Sequence, residues 1–506
     1  MDLRAKLGQR FIYALPDVTE LTTEVADFLV DCRAGGLVLF GFNIKTLAQI
    51  TKLNQDLQTL AASKGLPPFI ISLDEEGGNV SRMPADGQDL ITPSQMALGV
   101  AGPAAVEACA NVTARRLRQL GFNFNYAPVM DVNNNPANPV IGTRSYGAEP
   151  AIVAELGTIA IEAYLQNAVS PCVKHFPGHG DTAVDSHYGL PIVQKSLEQL
   201  REFELVPFER AIRAGVPAIM TAHILYPQVE TGGLPATFSA IFLSQLLREQ
   251  LNFDGLIITD CLDMRAIADH YDLGEAAIMA FRAGADLVML KGPLAEQRAA
   301  FEKAIAAAQA NDFDEAASDL TIARLEKWRK RFCVPVNPTS TAPQDYEIVA
   351  QAARQSVTVI KSEANLLPLT ATITKRPLLL DFTLAMASPV EGGRTPGPLL
   401  EQELKRKLPN LTRLEISAET SPLDAERVRQ QVKQSDLLLI VCRHALLLKR
   451  QADLIKELVA GDVAVVLVAA REPYDLDLFP DVSVAIATYG DPPATVKALA
   501  ALLTGN

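Results

Sequence analysis

The chain is sparing with cysteine, histidine and tryptophan, and it lacks most features that would commit it to a macromolecular partner. Its six cysteines (Cys32, Cys109, Cys172, Cys261, Cys333 and Cys442) lie far apart, with no C-x-x-C pair and no framework spacing. This predicts reduced thiols, a cytoplasmic setting and no structural zinc. An excess of positive charge is missing as well: 46 Lys and Arg against 59 Asp and Glu leave a formal net charge of −13. A phosphate backbone calls for clustered cations, so this balance disfavours nucleic acid and, by the same reasoning, an anionic membrane surface. No apolar run approaches the roughly 18 residues that a membrane helix needs. The amino terminus, MDLRAKLGQRFIYALPD, has no charged-then-apolar leader with a small-residue cleavage site. Internal repeats and low-complexity tracts are also absent.

What is present is a chain of 506 residues, 48% hydrophobic and 6% aromatic, which suits an α/β enzyme of two or three domains. Over the first three hundred residues short apolar runs alternate with longer amphipathic stretches. Strands are expected at Phe11–Leu15, Gly36–Phe42, Phe69–Leu73, Phe122–Val132, Val169–His175, Ala218–His223, Leu256–Asp260 and Ala285–Leu290. Between them lie helical patterns such as Ser196–Ala214, where Ser196 is placed to cap and Gln199 to complete a capping box. Eight buried strands, each followed by a helix, predict a (β/α)8 TIM-like barrel over residues 1–333, with a doubly wound sheet as the alternative. A helix over Asp314–Arg331 closes the region, and VPVNPTSTAPQD at 334–345, with three prolines, reads as a linker. Residues 346–506 predict a smaller α/β sandwich with strands at Pro377–Phe382, Leu437–Val441, Val463–Val468 and Val482–Ala487.

In such a barrel the working residues stand at the carboxyl ends of the strands. Several strands here end in polar groups: FIISL runs into Asp74-Glu75-Glu76-Gly77-Gly78, the fifth strand into Lys174-His175, the sixth into His223, and LIIT into Asp260. The segment from Lys174 to His187 holds three of the six histidines. His175, His179 and His187 with a carboxylate are conceivable metal ligands. However, Pro177, Gly178 and Gly180 prevent His175 and His179 from sharing a helical face, so no metal is expected. A bland loop of hydrogen-bonded histidines is the other alternative. The sharper reading is acid/base chemistry. Asp185-Ser186-His187 puts a carboxylate two residues from an imidazole, able to orient it and favour its protonated form. Asp260 then serves as a nucleophile. Taken alone it would read as a helix N-cap.

KHFPGHGDTAVDSHYGLP at 174–191 resembles the signature loop of glycoside hydrolase family 3, in its β-N-acetylglucosaminidase branch. SLDEEGG at 72–78, YAPVMDVN at 126–133, NPVIGTRSYG at 138–147, IMTAHI at 219–224 and LIITDCLDM at 256–264 also resemble that family. ARQSVTVIKSEANLLPL at 353–369 resembles the start of the second domain in longer members. The resemblance implies a retaining β-N-acetylhexosaminidase without cofactor, acting on small carbohydrates in cell-wall recycling or on other oligosaccharides. It implies Asp260 as nucleophile, His187 supported by Asp185 as acid/base, and Asp74, Arg144, Lys174 and His175 as ligands of the terminal sugar.

β-Glucosidases of the family generally take their acid/base glutamate from the second domain, so the Asp-Ser-His triplet argues for N-acetylglucosamine over glucose. Chemistry is accordingly expected not to depend directly on the second domain. Two positions depart from the pattern. Asn79 stands where arginine is common, with Arg82 the next basic residue, and Cys261 follows the nucleophile where alanine or aspartate is frequent. Asn79 is expected to weaken a local salt link without touching the sugar, and Cys261 to pack rather than react. The rival readings are a phosphorylase, because an imidazole repels phosphate less than a carboxylate does, a β-glucosidase of the same family, and a sugar-binding protein on an inactive barrel.

Overall fold

The computed structural model describes residues 1–310, 315–334, 342–363, 366–384, 388–389, 391 and 396–505. Strands β1 (Phe11–Ala14), β2 (Gly36–Val38), β3 (Ile70–Leu73), β4 (Phe124–Asn125), β5 (Ser170–Phe176), β6 (Ala218–Thr221), β7 (Leu256–Cys261) and β8 (Leu287–Leu290) pair in sequence order. Parallel pairing of β1 with β8, Ile12 opposite Met289, closes them into a barrel. All eight expected strands are present. The fourth is cut furthest, from eleven residues to two, because Pro128 has no N–H for the ladder and the chain leaves for the rim.

Ile12, Val38, Ile70, Phe124, Met220, Ile258 and Leu287 fill the barrel interior. The helix Glu315–Phe332 closes its amino-terminal end, with Leu325, Trp328 and Phe332 packed into the same cluster. The Trp328 indole donates to Ser170 Oγ at 2.9 Å, which satisfies the one polar atom of that plug. The amino-terminal end is thus shut by side chains, and the opposite rim is left for chemistry. The expected helix at Ser196–Ala214 forms as two, Leu197–Glu202 and Leu205–Arg213. The capping box of Ser196 and Gln199 is present. The break falls at Phe203, whose carbonyl would need an N–H from Pro207 to continue the helix.

The second domain is a six-stranded sheet of β9 (Thr358–Ser362), β10 (Pro377–Thr383), β11 (Thr412–Ser417), β12 (Leu437–Cys442), β13 (Ala464–Ala469) and β14 (Val484–Ala487). Its order is β11-β10-β12-β13-β14-β9, parallel except for β9. Alternate residues of β12 bury on opposite faces, Leu438 and Ile440 in one apolar layer and Leu437 and Leu439 in the other. The strands missing from the sequence reading, β9 and β11, are the two edges. Their partly exposed faces break the continuous apolar run that marks the central strands.

Residues 335–341 of the expected linker lie outside the described residues. The helix Pro343–Ser356 begins within the remainder and packs on the barrel, with Val349 against Leu90 and Val112. On the barrel side, Met96 and Ala97 of the helix Gln95–Ala101 join the core of the second domain. Among the described residues no helix is long and apolar enough to cross a membrane, and all six cysteines are free thiols.

Candidate active site

Parallel strands that close into a barrel bring all their carboxyl ends to one rim. There Asp74 after β3, Lys174 and His175 on β5 and Asp260 on β7 line a cleft of about 460 Å³. Arg144 and His187 line it too, and Asp185 sits buried behind His187. The structure therefore brings Asp74, Arg144, Lys174, His175, Asp185, His187 and Asp260 together at one place.

One wall is a buried ionic cluster. Lys174 Nζ lies 2.7 Å from Asp74 Oδ1 and 2.6 Å from Glu76 Oε1. Glu76 also takes a two-pronged contact from Arg144, Nε at 2.8 Å and Nη2 at 2.9 Å. Arg82 approaches Asp74 at 3.4 Å. Burial opposes ionisation of Asp74, but Lys174 and Arg82 outweigh it and hold the carboxyl well below the usual range. Glu76 is lowered in the same way, with Arg144 and Lys174 outweighing burial. The two cations are thereby fixed, rotamer and charge together, before any sugar arrives. Removing Glu76 would leave two buried cations short of a partner, a change costing about 3–5 kcal/mol in comparable sites. Glu76 was not distinguished in the sequence because Asp74, Glu75 and Glu76 are adjacent carboxylates, and only the strand's exit geometry assigns each its partner.

His175 is set differently. Its Nδ1 lies 2.7 Å from Asp131 Oδ2, and Asp131 also accepts the backbone N–H groups of His175 at 3.1 Å and His179 at 2.6 Å. Burial, with Arg144 and Lys174 nearby, pushes the imidazole down to about 3. It is neutral near pH 7, so an Nδ1–H donated to Asp131 leaves Nε2 as an acceptor, with Arg144 Nη2 3.4 Å from it. His179 contacts Thr182 Oγ1 at 2.7 Å and Ser186 Oγ at 3.2 Å, and burial beside His175 pushes it down to about 4. Both side chains thus brace the loop. Gly180 allows the loop its path, since a Cβ there would lie 1.7 Å from the Val132 carbonyl oxygen. Among the described residues no three His, Cys, Asp or Glu side chains are grouped as metal ligands.

His187 Nδ1 lies 2.7 Å from Asp185 Oδ1, which also accepts the His187 backbone N–H at 2.9 Å. Burial raises Asp185, but its bonds to His187 and Ser388 win and bring it down to about 2. The carboxylate therefore stays charged throughout the neutral range. The His187 side chain is 22% exposed and borders the cleft, so the ring joins a fixed anion to solvent-accessible space. On β7, Asp260 Oδ1 accepts the Cys261 N–H at 2.7 Å. Asp260 does not cap a helix: the following one, Arg265–Ala268, has Met264 at that position. His223 holds the same turn by contacting the Cys261 carbonyl at 3.1 Å and Thr237 Oγ1 at 2.8 Å. Burial raises the Cys261 thiol well above its ordinary value, which keeps it a thiol.

The second domain reaches this site. Ser388 donates to Asp185 Oδ2 at 2.7 Å, and Pro389 and Glu391 line the cleft. Glu391 is clamped by the Arg471 guanidinium. Asn79, with its amide oriented to pair at both ends, accepts from Arg471 Nη2 at 3.0 Å and donates to Asp491 Oδ1 at 3.1 Å. The departure at Asn79 is therefore a contact with the second domain. Phe40 and Phe42, stacked at 5.5 Å, form a further part of the cleft wall. No local pattern marks Ser388 or Glu391, because their place depends on how two domains dock.

Comparison with known proteins agrees with this architecture. The model of the glycosyl hydrolase family 3 N-terminal domain matches residues 3–326. The chain is 34% identical over 382 residues to the beta-hexosaminidase A of Pseudoalteromonas piscicida, an alignment covering 70% of this chain and 63% of that relative. It thus spans less than two thirds of that protein's length. It is also 34% identical over 278 residues to the beta-hexosaminidase of Thiobacillus denitrificans, across 54% of this chain and 75% of the relative. Among solved structures, the family 3 beta-N-acetylglucosaminidase of Paenibacillus sp. str. FPU-7 superposes with a TM-score of 0.92 at 34% identity, covering 100% of this chain and 97% of that one. A barrel with this cleft, matched along most of its length, places the chain in glycosyl hydrolase family 3, to which it belongs.

Proposed function

We propose that this chain is a retaining β-N-acetylglucosaminidase that releases terminal non-reducing N-acetylglucosamine from cell-wall fragments or other small oligosaccharides. The observation that carries the reading is the His187–Asp185 pair bordering the same cleft as Asp260. In the first step Asp260 attacks the anomeric carbon. The bond to the aglycone breaks, and the leaving oxygen takes the proton of His187. In the second step His187 removes a proton from water, whose oxygen displaces Asp260 and restores the starting configuration. Asp185 remains charged and stabilises the imidazolium in both steps.

Asp74, Arg144, Lys174 and His175 hold the sugar hydroxyls. A pre-ordered set of two cations, an anion and a neutral imidazole acceptor discriminates by leaving buried groups unpaired when a hydroxyl is missing. The names of the relatives support the choice of sugar: beta-hexosaminidases and a beta-N-acetylglucosaminidase at 34% identity. Six free cysteines support a cytoplasmic setting. The test is hydrolysis of paired 4-nitrophenyl β-N-acetylglucosaminide and β-glucoside, with and without inorganic phosphate. A strong preference for the acetamido sugar, independent of phosphate, is expected. Preference for the glucoside, or a sugar 1-phosphate product, would overturn the reading.

A further inference from the structure

The acid/base pair stands on a loop with little apolar anchoring of its own, since Val184 and Tyr188 on either side are 44% and 58% exposed. Asp185 nevertheless has both oxygens engaged. Oδ1 faces the ring and backbone of His187, and Oδ2 receives the hydroxyl of Ser388, a buried residue more than two hundred positions away in the second domain. A carboxylate held at one oxygen only can swing about its Cβ–Cγ bond and lose the imidazole. One held at both cannot. Three residues on, Glu391 is clamped by Arg471, and Arg471 is bound to Asn79 of the barrel.

We propose that Ser388 is a positioning residue for the Asp185–His187 pair, so that the second domain completes the acid/base unit of the barrel. The hydroxyl fixes the carboxylate rotamer that presents Oδ1 to the ring. It touches neither the sugar nor the reacting atoms. Its effect should therefore show where proton transfer matters and vanish where it does not. This extends the proposed glycosidase reading and rests on it for its kinetic part, though not for its titration part.

The experiment compares Ser388→Ala and Ser388→Thr in the full chain with two substrates. Phenyl β-N-acetylglucosaminide needs a proton on its leaving oxygen; the 2,4-dinitrophenyl glycoside does not. Ser388→Ala should lower kcat/KM for the phenyl substrate about tenfold and leave the dinitrophenyl value within about twofold. Ser388→Thr should restore most of the loss. Independently of any substrate, the titration midpoint of the selectively labelled His187 ring, followed by NMR, should fall by about half a pH unit in Ser388→Ala, because a mobile carboxylate spends less time against the ring, and return in Ser388→Thr. Equal losses on both substrates would overturn the proposal, as would an unmoved ring titration. Failure to cleave either substrate by the wild type would instead overturn the glycosidase reading, and the ring titration would still decide the role of Ser388.

Discussion

His187 Nδ1 lies 2.7 Å from Asp185 Oδ1 while Ser388 holds the other carboxylate oxygen at 2.7 Å, so one buried anion joins the barrel's imidazole to the second domain. Replacing Asp185 by alanine removes the anion that favours the protonated ring. The rate should fall by about 10²–10⁴. The alkaline limb of the rate profile should move to lower pH, because the proton then leaves the ring without an anion to retain it. Steady-state rates across pH 5–9 check both effects, and an unmoved profile would show that the pair does not act as a unit.

Asp260→Ala should lower turnover by at least about a thousandfold and leave thermal stability nearly unchanged. The side chain stands at the rim and contributes no core volume. Added azide should enter the space left by the carboxylate and yield a glycosyl azide of α configuration. Turnover at the wild-type rate in the purified variant would exclude Asp260 as the nucleophile.

Two buried imidazoles make stability depend on pH in a stated direction. His175 is pushed down to about 3 and His179 to about 4, from an ordinary 6.5. The unfolded chain therefore binds more protons than the folded one between about pH 6.5 and 4. Stability is full above that window and is lost as pH falls through it, at on the order of 1 kcal/mol per pH unit for each ring. Denaturant unfolding at pH 7, 6 and 5 should show the decline, and His179→Gln should reduce its slope. A midpoint that stays constant over this range would contradict the burial of neutral rings.

Asn79 faces the Arg471 guanidinium and Asp491 across the domain contact. Asn79→Arg would bring a second cation against a buried one whose carboxylate partner, Glu391, is already engaged. A loss of about 2–4 kcal/mol is expected, measured as a lowered denaturation midpoint of the full chain. Asn79→Asp should be milder but not neutral, because the carboxylate can accept from Arg471 as the amide does yet loses the bond donated to Asp491. An unchanged midpoint in Asn79→Arg would mean that the contact carries no docking energy.

Covalent proximity and strand periodicity made much of this protein legible in its sequence. Asp185 and His187 are two residues apart, so their contact follows from local geometry wherever the loop goes. The barrel strands announce themselves as apolar runs ending in polar residues, because parallel strands are covered on both faces and water meets them only at their ends. The same reasoning fails at β9 and β11, whose exposed faces erase the apolar run, and at Phe203, where a missing N–H four residues ahead breaks a helix that the pattern shows as continuous. Tertiary structure alone decided that Glu76, rather than Glu75, stands between Lys174 and Arg144. It alone set Asp74 against a lysine one hundred residues away. The same holds for Ser388, which meets Asp185 only because the apolar faces of the second sheet and the helix Gln95–Ala101 exclude water together. Contacts made by closing a barrel or docking a domain depend on where distant strands end, and a one-dimensional pattern records which residues are buried but not which buried residues meet.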